Sequence, residues 1–147
     1  MNPQHLRSLR TQGWFLIGAL IIQYALGMYV NLFVPFPENA TEGQLWEFSW
    51  SQPSLAAHIV LAFLILLGAI VLCIRAYRYK DKTWITASFV GLLAVTAAGA
   101  SGATFIPSQT DVYSYSMAIM FLAAIMSYGW GLFRTSQKID SNQGQSI

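Results

Sequence analysis

Four stretches of this chain, 13–34, 54–74, 84–106 and 112–133, contain no Lys, Arg, Asp or Glu. Each is close to the ~20 apolar residues a helix needs to cross the hydrocarbon core of a bilayer. They read as membrane spans rather than as buried helices of a soluble protein. The expected fold is therefore all-α, a four-transmembrane-helix bundle in one compact membrane domain, 13–134. Only 10% of the 147 residues are charged, against about a quarter in a soluble domain, and the mean hydropathy is +0.48. A lipid bilayer is the first partner the composition demands.

The few charges set an orientation. Arg7 and Arg10 precede the first run, Arg75, Arg78, Lys80 and Lys82 lie between the second and third, and Arg134 and Lys138 follow the fourth. With four spans these places share one side, which the positive-inside bias makes cytoplasmic. The expectation is a multi-pass inner-membrane protein with both termini, 1–12 and 135–147, as mobile polar segments in the cytoplasm. Glu38, Glu42, Glu47 and Asp111 fall on the other side, where no Lys or Arg stands. The net charge of +2 thus reports topology and gives no reason to expect nucleic acid. Trp14, Trp84 and Trp130 near the inner ends, with Trp46 and Trp50 in the outer loop, match aromatic belts at both interfaces. The start, Met1 to His5, lacks a short apolar stretch followed by a small-residue cleavage site, so the first span is expected to be retained. Cys73 is alone; it cannot form an internal disulfide and reads as a small apolar helix residue.

The connection 35–53 is the longest. Its middle, 41–50, predicts a short interfacial helix capped by Thr41, with Leu45, Trp46 and Trp50 dipping toward lipid or covering a site below. The connection 107–111 is so short that the third and fourth spans must be antiparallel neighbours. The two halves also resemble each other. Gly27 with Phe33-Val34-Pro35 recurs as Gly99 with Phe105-Ile106-Pro107, and Arg75 follows His58 by 17 residues as Arg134 follows Met117. This register predicts two similar helix hairpins related by an axis along the membrane normal.

His58 is the only imidazole within the spans. An ionisable side chain in a membrane helix is costly without a partner, which makes it a functional-site candidate by default. Three roles are open: a cofactor ligand, a structural hydrogen bond to Gln23, Asn31 or a serine, or proton handling. The half-repeat places Met117 at the same depth across the bundle, and His with Met is a known axial pair for haem iron. Gly27, Gly99 and Gly102 on the odd spans, with Ala62, Ala69 and Ala124 below the two side chains, would leave room for the macrocycle. The same small residues also suit close helix packing, and methionine is a common core filler; Met120 and Met126 share the fourth span. With no outer cation, haem propionates would need Gln109, Ser114, Tyr115, Trp46, Trp50 or water. No second His or carboxylate accompanies His58 for a metal site, and there is no phosphate loop or Ser/His/Asp set. Gln23, Asn31 and Thr96 are few for an ion path.

Residues 23–30 (Gln-Tyr-Ala-Leu-Gly-Met-Tyr-Val) before Ala57-His58, and residues 97–103 (Ala-Ala-Gly-Ala-Ser-Gly-Ala) before Ser116-Met117-Ala118, resemble one half of a haem A synthase. In that family each half is a four-helix bundle whose second and fourth helices open with a His. The resemblance covers all four spans but half of a full-length synthase. Met117 stands in place of the second His, the outer-loop cysteines of many members are absent, and the catalytic features are not evident. What it implies is a haem b site with His58 and Met117 as iron ligands. The expected function is then that of a haem-binding, cytochrome-b-like protein for electron transfer or haem handling, with a respiratory redox partner or as a homo-oligomer. Alternatives from the same sequence are a cofactor-free accessory or scaffold subunit of a respiratory or transport complex, and an enzyme acting on a lipid or haem side chain through an outer-loop Glu.

Overall fold

A computed structural model describes residues 3–144, with side chains from 4 to 138. The fold is all-α: α1 (Pro3–Phe33), α2 (Glu42–Ser51), α3 (Pro53–Tyr79), α4 (Lys82–Ser108) and α5 (Asp111–Gly144). Helices α1, α3, α4 and α5 carry the four apolar runs and are long and apolar enough to cross a membrane. At 27 residues, α3 and α4 each extend about 40 Å, enough for the hydrocarbon core and both interfaces. Their outward faces carry Phe63, Leu64, Leu67, Phe89, Val90 and Leu93, all exposed. A surface of this kind is stable only against lipid, and the protein is a multi-pass membrane protein.

Local chemistry sets the helix ends. Thr41 stands at the N-cap of α2 and its backbone N–H donates to Gln44 Oε1 at 2.8 Å, one arm of a capping box. Gln52 ends α2 and begins α3, with Pro53 pre-set at the first helical position. Lys80 closes α3 in the left-handed region at φ 55°, and Asp81 starts α4 by accepting from Trp84 N at 2.9 Å. The two prolines of the half-repeat behave differently. Pro35 lies beyond the end of α1, whereas Pro107 sits inside the last turn of α4, so only Gln109 and Thr110 link α4 to α5. The polar ends are also not separate segments over the described residues: α1 is helical from Pro3, and α5 runs on to Gly144. Met1, Asn2 and 145–147 lie outside the described residues.

The spans close into a ring in which α1 packs on α3, α3 on α4, α4 on α5 and α5 back on α1, while α2 lies across α3 and α4. Helices α3 and α5 are therefore diagonal. The cation-bearing end is filled solidly. The Trp84 indole lies against Gly13 of α1 and Gly131 of α5, and its Nε1 donates to Thr135 Oγ1 at 2.8 Å. Trp84 is completely buried, which corrects its expected place in the aromatic belt; the two glycines leave a slot that an indole fills. Trp14 and Trp130 remain exposed. Asp81 also pairs with Lys138 at 2.9 Å, and Arg75 bonds Gln12 at 2.9 Å and Ser8. His5 stacks on Tyr79 with ring centroids 4.1 Å apart.

Candidate functional site

The opposite half of the bundle is hollow. A cavity of about 550 Å³ lies between the spans and under α2, and its wall is almost entirely apolar. His58 and Ala62 reach it from α3, Met117 from α5, Gly27 from α1, and Gly99 and Gly102 from α4. Six of the eight residues that the sequence marks for a cofactor site thus line one space, with His58 and Met117 on diagonal helices. Ala69 and Ala124 are buried in the packing below and do not line it. Trp46 and Trp50 form part of the roof, the second of the two placements open for them in the sequence. Of the polar groups expected near the outer rim, Ser114 lines the cavity and bonds Asn31 Oδ1 at 3.3 Å; Gln109 turns back to the carbonyl of Ile106, and Tyr115 is exposed outside.

Two glycines shape the cavity from within. A Cβ at Gly27 would stand 2.9 Å from His58 Cε1, and one at Gly102 would stand 3.0 Å from Met117 Sδ. Each hairpin therefore sets a glycine of its first span beneath the candidate ligand of its second. The register is not the one the prolines suggest: Gly99, the partner of Gly27 in sequence, faces open space, and Gly102 one turn later makes the contact. The cause is geometric, since a shift of one helical turn keeps a residue on the same face.

Gln23, fully buried on α1, is the partner of His58. Its Nε2 donates to the His58 carbonyl at 2.9 Å and lies 3.2 Å from imidazole Nε2. A carbonyl can only accept, so the amide nitrogen must be the atom that faces it. The same nitrogen then donates to imidazole Nε2, which leaves the ring proton on Nδ1. Imidazole Nδ1 and Gln23 Oε1 are both buried without a hydrogen-bond partner. The ring edge from Nδ1 through Cε1 to Nε2 is packed against Gly27, so the nitrogens face α1.

Phe36 was not marked by the sequence. It lines the cavity and bridges the roof to α4, with its ring 5.6 Å from Phe48 and 5.8 Å from Phe105. It lies in a connection without periodicity, and only its tertiary neighbours reveal it. No protein-family model, curated protein or solved structure matches the chain.

Proposed function

We propose that the protein binds haem in this cavity as a cytochrome-b-like membrane protein, with His58 and Met117 as the candidate iron ligands, for electron transfer or haem handling. One observation carries the proposal: an imidazole and a thioether reach a single apolar cavity from diagonal helices. The residues suit the group in donor set, one nitrogen and one soft sulfur, and in size, since about 550 Å³ lies within the range of cofactor pockets. The imidazole lone pair that would meet the iron is the one on Nε2, which accepts from Gln23 in this structure, so ligation would require that hydrogen bond to be given up. When bound, a haem held by nitrogen and thioether supplies a one-electron couple. Gly27 and Gly102 keep the ring and thioether clear of Cβ atoms, Trp46 and Trp50 cover the cavity, and Asn31, whose amide oxygen accepts from Ser114, has its amide nitrogen as a neutral donor at the rim. The resemblance to half of a haem A synthase agrees with this reading, as does an inner-membrane location with cytoplasmic termini, which the cation distribution favours.

The test is an absorption spectrum of protein purified in detergent after expression with ample haem. A Soret band lost in His58→Ala is expected, with Met117→Ala altering the reduced spectrum more than Met120→Ala, because Met120 packs in the core instead of lining the cavity. A colourless wild type that copurifies with other membrane proteins would select the cofactor-free accessory subunit instead.

A further inference from the structure

We infer that Gln23 is a latch on His58: it holds the imidazole in a setting turned to α1, and the ring is available to a ligand in the cavity only when that hold is released. The inference deepens the haem reading and rests on it for the identity of the ligand, while the latch itself is a property of the chain alone. Gln23 Nε2 spans the backbone and the ring of the same residue, at 2.9 and 3.2 Å. This fixes ring position and tautomer together, and Gly27 provides the flat surface on which the nitrogen edge rests.

A hydrogen bond kept for structure alone would leave its groups satisfied. This one does not. The second donor of the pair, imidazole Nδ1–H, and the second acceptor, Gln23 Oε1, are both buried and unpaired, a costly arrangement in an apolar surrounding. The latched setting is therefore held by two contacts and opposed by two orphaned groups, which keeps the released setting within reach. Gln23 and His58 both line the cavity, so release needs only side-chain rotation into space already present. Gln23 acts through His58 and is a positioning residue.

Two measurements test the latch separately from haem binding. The first uses the full chain purified without haem, 15N-labelled at histidine, in a His5→Gln background so that His58 alone reports. Coupling of the ring nitrogens to the ring carbon-bound protons identifies the protonated one. The Nδ1–H tautomer is expected to dominate in wild type by about fivefold or more, and to lose that preference in Gln23→Leu and Gln23→Ala. A wild type with the proton on Nε2, or variants with an unchanged tautomer, overturns the latch. The second measurement titrates the same proteins with haemin under reducing conditions. Both Gln23 variants should bind more tightly than wild type by up to about tenfold, since no latch has to be broken; equal or weaker binding overturns the inference. If haemin binds none of them, the haem reading falls and the tautomer result alone decides the latch.

Discussion

At the scale of single residues, the glycines and the buried polar atoms make the sharpest predictions. A Cβ at Gly27 meets the rigid edge of an imidazole that Gln23 pins, whereas one at Gly102 meets a thioether with three rotatable bonds. Gly27→Ala should therefore cost about 1–2 kcal/mol of stability and Gly102→Ala less than about 1, read from thermal unfolding in detergent. Gly27→Ala should also displace the ring from α1 and erase the Nδ1–H preference; a retained preference would mean that the contact does not hold the ring. Tyr128 is fully buried against Gly91, and its hydroxyl has no hydrogen-bond partner. Removing an unpaired hydroxyl removes a desolvation penalty, so Tyr128→Phe should leave the unfolding temperature unchanged or raise it, by up to about 1 kcal/mol in stability. A marked loss would reveal a partner for that hydroxyl.

Among the elements, the cation-bearing ends of α4 and α5 behave as a structural plug and the other ends as the site. Trp84 fills the slot between Gly13 and Gly131 and bonds Thr135, so Trp84→Ala should cost about 3–5 kcal/mol. Asp81→Ala removes the cap of α4 and should cost about 1 kcal/mol. Neither change touches the cavity, so the His58 tautomer should stay as in wild type while unfolding temperatures fall; a tautomer that moves with them would couple the two halves. Helix α2 is the complementary case. Its sequence marks a cap and an apolar face, and the structure turns that face onto α3 and α4, where Leu45 is buried and Trp46 lines the cavity.

For the whole molecule, four antiparallel spans place the start of α1, the end of α5 and the α3–α4 connection at one end of the bundle and α2 at the other. In a Cys73→Ser background, single cysteines replacing Gln44 and Lys80 should be labelled by an impermeant thiol reagent from opposite sides of sealed vesicles, with Lys80 on the cytoplasmic side if the positive-inside bias holds. Labelling of both from one side would refute the four-span topology. The closed ring order also explains why His58 and Met117 share a space without being neighbours in packing: each stands on a helix diagonal to the other.

The sequence by itself determined that the chain is four membrane helices with a short helix capped by Thr41 after the first, and that His58 is the polar group in need of an explanation. These follow from local rules: apolar length against bilayer thickness, capping chemistry, and the cost of an imidazole in lipid. It also marked six residues that prove to line one cavity, because repeat spacing carries depth information along a helix. What only the tertiary structure decided is what each group meets. That Trp84 is a plug instead of a belt residue, that Gly102 rather than Gly99 lies under Met117, that Phe36 closes the roof, and that Gln23 rather than Asn31 or a serine holds His58 all depend on helix rotation and pairing. Those are set by contacts between segments far apart in the chain, and periodicity within one segment carries no record of them.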